Sequence, residues 1–290
     1  MENIIYYDKP VLRKPDLVIG FEGWANAGEI SIGVVNYLKK RLRAKKFAEM
    51  ESNIFYNLSN LRPSAIIKKG IIGDISFPAN EFFFFINNES PHDLIIFRGI
   101  EPHLKWKEFV DTLLNFSQKL GVREIYAIGG TFDRVLHTQE PKVSAVISIP
   151  EVEPKCFKYQ LELGDYQGST SIHTFLLNSC KERGVPAIGL WGHTPLYLQK
   201  SPRVYHAILK RLIKMLNINI DLINLEEASK ELDEQIKKAI DNNPELHNFI
   251  AQLEEDFRGE EEGNKMPEDI AQNVIRMKDF QKKEEEGNKN

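Results

Sequence analysis

Cysteine is scarce in this sequence, net charge is small and long apolar runs are missing. Each shortage removes a class of protein. Only Cys156 and Cys180 occur in 290 residues. They share no Cys-x-x-Cys spacing and have too few suitable neighbours for a zinc knuckle, so reduced thiols and no metal centre are expected. No stretch approaches the roughly 18 consecutive apolar residues that a membrane-crossing helix needs. The first residues, Met1-Glu2-Asn3-Ile4, lack the basic segment and apolar core of a secretory leader. A formal net charge of -4 supplies no overall attraction for nucleic acid or an anionic membrane. Two phosphate or nucleophile signatures are missing as well: there is no G-x-G-x-x-G fingerprint and no G-x-S-x-G elbow. The expectation is a cytoplasmic chain with no cofactor, no nucleic-acid partner and no membrane partner.

What is present is an alternation. Between residue 17 and about 217, short apolar runs alternate with helical periodicity. Strands are expected at Leu17–Ile19, Ala65–Ile67, Phe82–Ile86, Leu94–Phe97, Ile125–Ile128, Val143–Ile147 and Ala187–Leu190, each short and bounded as a buried strand should be. Helices are expected at Ile30–Leu42, Trp106–Leu120, Ile172–Arg183 and Tyr205–Leu216. In the second, Phe109, Leu113, Phe116 and Leu120 recur at three- and four-residue spacing, which makes one apolar face. Lys119-Leu120-Gly121-Val122 and Glu182-Arg183-Gly184-Val185 each close a helix on a glycine and open a strand on a β-branched residue. This is the unit of an α/β fold with helices over a mostly parallel sheet. The region from Phe47 to Ile86 lacks a helix and reads as an antiparallel insertion or a set of edge hairpins. Phe82 to Phe85 cannot alternate in and out of water, so they are expected to be buried on both faces or in an oligomer interface. Residues 1–220 form the α/β core on this reading, and 221–258 a C-terminal helical hairpin broken at Asn242-Asn243-Pro244. Residues 259–290 form an acidic linker and tail with one amphipathic helix from Met266 to about Lys282.

Four segments follow strands and carry glycines, histidines or aromatics. The first is Gly20-Phe21-Glu22-Gly23-Trp24-Ala25-Asn26-Ala27-Gly28. Its Gly23-xxxx-Gly28 spacing imitates a phosphate-binding loop, but Glu29 and Ile30 stand where Lys and Ser or Thr belong. The simpler reading is a tight strand-to-helix turn with Trp24 packed as a lid and Glu29 favouring the helix dipole. The second, Arg98 to Trp106, holds Glu101 and His103, an acid–base pair or two ligands, against a helix-start carboxylate and a surface histidine. The third, Gly129-Gly130 through Asp133, His137 and Thr138, permits close backbone approach, and Asp133 with His137 could orient a nucleophile. The fourth is Leu190 to Tyr197 with Trp191, His193 and Pro195, which suits a pocket wall, a core cap or a subunit contact. Ser169, Thr170 and Ser171 precede a helix and read as caps. In a doubly wound sheet the four segments converge on the carboxyl edge.

These segments together resemble the PAC2 family, the group of proteasome assembly chaperone 2 and its archaeal and bacterial homologues. The resemblance rests on G-F-x-G-W-x-N-A-G at 20–28, E-P-H-L-x-W at 101–106, Gly129-Gly130 with His137-Thr138, Tyr166-x-Gly168, and Leu190-Trp191 with Pro195 and Tyr197. It extends over about residues 12–255. It implies a three-layer α/β/α sandwich of the phosphorylase/hydrolase-like type, assembly into a homo-oligomer, and for some members a role in protein assembly. Archaeal chaperone-like members dock through a C-terminal hydrophobic-Tyr-any tripeptide, which Asn288-Lys289-Asn290 does not match.

Two functions compete. The first is a non-enzymatic assembly chaperone or oligomeric interaction scaffold, which associates with itself and with a protein partner through the core edge or the C-terminal helices. The second is a small-molecule hydrolase or phosphorylase-like enzyme. Its catalytic candidates are Glu22, Glu101, His103 and His137. Trp24, Asn26, Arg98, Gly129, Gly130, Thr138, Trp191 and Tyr197 would line the same binding edge. Shared acid–base chemistry requires Glu101 and His137 to meet, because proton transfer works only across hydrogen-bonding distance.

Overall fold

A computed structural model describes residues 3–261. The chain runs β1 (Ile4–Tyr6), β2 (Asp16–Glu22), α1 (Ile30–Arg41), β3 (Lys45–Met50), β4 (Ser64–Lys68), β5 (Ile71–Ser76), β6 (Asn80–Phe85) and β7 (Leu94–Ile100). It continues through α2 (Trp106–Lys119), β8 (Glu124–Asp133), β9 (Val143–Ile147), α3 (Glu153–Lys158), β10 (Glu162–Leu163), α4 (Ile172–Glu182) and β11 (Ala187–Pro195). Three helices close it: α5 (Pro202–Leu216), α6 (Ile223–Asn242) and α7 (Pro244–Glu261).

Nine strands form one sheet in the order β1-β3-β6-β7-β2-β8-β11-β9-β10. The central four, β7, β2, β8 and β11, are mutually parallel. On one side β6, β3 and β1 continue the sheet antiparallel. On the other, β9 is antiparallel to β11, and β10 runs parallel to β9. The parallel strands place the ends of β2, β7, β8 and β11 along one edge, so the four glycine- and aromatic-bearing segments do share it.

Side chains of the central strands alternate between two cores. Leu17, Ile19 and Phe21 of β2 face α2 and α4, packing with Phe109, Leu113, Phe116, Leu176 and Cys180. Val18 faces the opposite layer, where Val34 and Leu38 of α1 meet Ile208 and Leu212 of α5. This is the three-layer α/β/α arrangement, and it follows from buried parallel strands needing apolar cover on both faces. Both predicted helix ends form as expected. Gly121 and Gly184 take left-handed backbone (φ 68° and 65°). The amides of Val122 and Val185 reach back to the Ser117 and Cys180 carbonyls at 3.0 and 2.9 Å. Ser171 caps α4, its Oγ accepting from the Thr174 amide.

Within the single chain Phe82 and Phe83 are buried, and Phe84 and Phe85 are half-buried. Phe82 and Phe84 join the α2 core, while Phe83 and Phe85 join the α1 core. The expectation for Ala65–Ile67 needs correction. The segment is a strand, but β4 pairs only with β5 in a separate two-stranded ribbon, and both strands are exposed along their whole length. Apolar composition signalled the strand. Burial needed a third strand or a helix, and among the described residues neither covers this ribbon.

The hairpin of α6 and α7 packs on the loops after β8 and β11. Ile236, Leu246, Ile250 and Leu253 enclose Leu136, Tyr197 and Leu198. Helix α7 continues through Gly259-Glu260-Glu261, three residues that composition places in the acidic linker. The expected helix from Met266 lies outside the described residues.

Candidate functional site

The loop after β2 is stitched into the carboxyl edge by backbone contacts. Asn26 bridges Gly130 of β8, and the Gly130 amide donates to the Ala25 carbonyl at 2.8 Å. A side chain at Gly130 would collide with the Ala27 carbonyl oxygen, so glycine is what allows this approach. The Asn26 side-chain oxygen accepts from the Ile32 amide at 3.1 Å, holding the start of α1. Gly129 lies beneath the Trp191 ring.

Glu101 faces the same loop. One carboxylate oxygen accepts from the Trp24 amide at 2.8 Å, and the other accepts from the Ile172 amide at the start of α4 at 3.0 Å. A carboxylate satisfying donors at a helix start is a charge-assisted clamp. Trp24 is therefore held through its backbone. Its side chain is 62% exposed, so it is not a packed lid. The loop is secured by Glu101 and Asn26, which leaves the indole free to project into solvent.

Glu22 pairs with Arg98, which also approaches Glu81 at 3.7 Å. Glu29 opens α1 and pairs with Lys200 at 2.8 Å. His103 accepts from the Asn57 amide at 3.1 Å and meets the Tyr56 ring edge-on. His137 lies elsewhere, beside the C-terminal hairpin. The Tyr197 hydroxyl accepts from the His137 amide at 2.9 Å and sits 2.7 Å from the His137 Nδ1. Tyr197 is fully buried against Phe249, and burial pushes its hydroxyl up to about 12. Burial also pulls His137 below its ordinary value. Thr138 is exposed. Glu101 and His137 thus point into separate groups, one fastening the loop at Trp24 and the other fastening the loop beneath α7.

Two polar groups were not anticipated. His173 of α4 is buried between Phe21 and Trp191, with Nε2 2.7 Å from the Ile128 carbonyl and 3.3 Å from Ser31 Oγ. Burial pushes it down to about 4. The second group joins three strands. Ser144 Oγ of β9 lies 2.8 Å from Nε2 of His193 in β11, and His193 Nδ1 lies 2.7 Å from Asp133 Oδ2 at the end of β8. Asp133 therefore partners His193, not His137. No short motif announces this trio, because its members are separated in sequence and only strand register joins them. Asp133 stands opposite Pro195, and the His193 amide donates to the Lys142 carbonyl just before β9. The signals available were Asp133 and His193, each in a segment that closes a strand; Ser144 carried none.

With this geometry in view, known proteins give a consistent picture. The family model described as the PAC2 family matches residues 20–240. A solved PAC2 family protein from Streptomyces avermitilis is 30% identical with a TM-score of 0.71, over 77% of this chain and 95% of its own. Pyrococcus furiosus PbaB, an archaeal proteasome activator, is 26% identical with a TM-score of 0.66, over 82% of this chain and 99% of its own. A proteasome-assembly chaperone homologue from Mycobacterium tuberculosis, 24% identical, shares the fold at a TM-score of 0.73, over 81% of this chain and 99% of its own. The matched span begins within β2 and ends within α6, so it takes in all four strand ends of the carboxyl edge: this chain belongs to the PAC2 family.

Proposed function

We propose that this chain works by protein–protein contact, as an assembly chaperone or scaffold of the PAC2 type, and that it associates with itself. The β4–β5 ribbon carries the reading. Ile66, Ile67, Ile71, Ile72 and Ile75 on it, and Phe77 just after it, are each half or more exposed. Ile67 stands opposite Ile72 across the two strands. A two-stranded ribbon is marginal on its own in water. Covering its isoleucines contributes about 25 cal/mol for each Å² of apolar surface removed from solvent. A protein surface is the natural cover for such a patch. The likeness to an archaeal proteasome activator supports a protein partner, and a cytoplasmic location belongs to the same reading. The hydrolase alternative based on Glu22, Glu101, His103 and His137 gains no support, because each of these already holds a loop, an ion pair or a ring in place.

The test is sedimentation of the full chain combined with a photoreactive residue placed at Ile67 or Ile72. The expected result is a complex in which the ribbon cross-links to a second copy or to a protein of the host. The double variant Ile67→Asp, Ile72→Asp is expected to return the chain to monomer. A monomeric wild-type chain whose ribbon cross-links to neither overturns the proposal.

A further inference from the structure

We propose that Ser144 is a nucleophile, activated by His193 and positioned by Asp133, which accepts an acyl group from a carboxylic ester at the carboxyl edge of the sheet. An ionised carboxylate can only accept, so the contact with Asp133 assigns the proton of a neutral His193 to Nδ1. With Nδ1–H donated to Asp133 at 2.7 Å, the Nε2 lone pair of His193 faces the Ser144 hydroxyl at 2.8 Å. That is the tautomer able to take the hydroxyl proton as oxygen attacks carbon. Burial works to raise the Asp133 carboxyl, but the bond from His193, the Arg134 amide at 2.8 Å and the nearby Lys142 charge outweigh it and hold the carboxylate ionised. A fixed negative charge behind the ring stabilises the imidazolium that forms when the proton moves.

The scaffold suits a positioned relay. Its three members stand on three hydrogen-bonded strands, not on mobile loops, which keeps their spacing fixed. Ser144 itself is only 9% exposed, but the chain beside it from Glu162 to Thr170 is exposed throughout. Gly164 of that segment lies over the hydroxyl without a side chain of its own: a Cβ added at this glycine would be in ordinary contact with Ser144 Oγ, at 3.7 Å. An ester would reach the hydroxyl from the side of this exposed segment.

The step balances without another reagent. The Oγ–C bond forms while His193 Nε2 takes the hydroxyl proton. The ester C–O bond breaks, and the alcohol leaves with that proton. Water then attacks the acyl-serine through the same histidine, releasing a carboxylic acid and restoring Ser144.

The test uses the full chain with an alkyl fluorophosphonate and with p-nitrophenyl acetate. The fluorophosphonate forms an Oγ–P bond and loses fluoride. The expected result is a single phosphonyl adduct on the Ser144 peptide by mass spectrometry, together with p-nitrophenol release. Ser144→Ala removes both. His193→Gln slows labelling by about 100-fold or more, the usual contribution of a general base. Asp133→Asn is expected to lower the rate and flatten its rise with pH while the melting temperature stays near wild type, which a purely structural role would not produce. Should Ser144→Ala fail to fold, Ser144→Cys gives a second reading, its alkylation by iodoacetamide expected to depend on His193. An unlabelled Ser144 in the folded chain, or labelling that proceeds equally in the His193→Gln variant, overturns the proposal.

Discussion

Strands β5 and β6 are near neighbours in sequence and alike in apolar content, yet one is bare and the other is buried. β6 lies between β3 and β7, with helices over both faces of the sheet, so Phe82 to Phe85 divide between two cores. β5 pairs only with β4, and its isoleucines face water. Apolar composition therefore selects the strand, while the presence of further layers decides whether that strand is core or contact surface.

The sharpest way to break this comparison is to empty the covered side. Phe82 meets Phe97 and Phe116 at centroid distances of 4.7 and 4.6 Å. Phe82→Ala is expected to cost about 3–5 kcal/mol in a denaturant titration, because the cavity is walled by aromatic rings that cannot collapse inward. A loss under about 1 kcal/mol would show that β6 is no more essential than β5.

A somewhat smaller effect is expected from acid. His173 titrates near 4 when folded, against an ordinary value of 6.5. Between those values the unfolded chain binds a proton that the folded chain refuses, so stability is full above about pH 6.5 and falls as pH drops toward 4. The depressed value corresponds to roughly 3 kcal/mol. His173→Gln is expected to flatten that part of the stability–pH curve, and an unchanged slope in the variant would remove His173 as its source.

The smallest effect belongs to the ribbon. Ile67→Asp with Ile72→Asp is expected to change the stability of the isolated chain by no more than about 0.5 kcal/mol, as at other exposed positions. Its consequence is expected in association instead. A large loss in the monomer would mean that the ribbon is structural, and the contrast with β6 would fail.

Much of the fold was legible because the central strands and their helices obey simple periods. The alternation around Leu17–Ile19, the apolar stripe of α2 and the glycine ends at Gly121 and Gly184 each carry local information. Strand parallelism then placed four loops along one edge. The polar groups within that edge were less legible. Glu101 serves a helix that begins at Ile172, and Asp133 turns to His193 although His137 is nearer in sequence. Such choices depend on register between strands far apart in the chain, which periodicity does not encode. The edge also separates what the four segments suggested as one site, because the α6–α7 hairpin encloses Tyr197 while Trp24 stays in solvent.

The placement of β2 bears on how the chain is made. Its two neighbours, β7 and β8, begin at Leu94 and Glu124. A ribosome releasing the chain from its amino end delivers the middle strand of the future sheet well before either of its flanking strands. Throughout that interval Leu17, Val18, Ile19 and Phe21 have no native sheet partner, and the isoleucine ribbon emerges while they wait. Pairings so distant in sequence are slow to form and prone to misassembly. Synthesis thus exposes two sticky elements together, and only one of them is later covered by the chain itself.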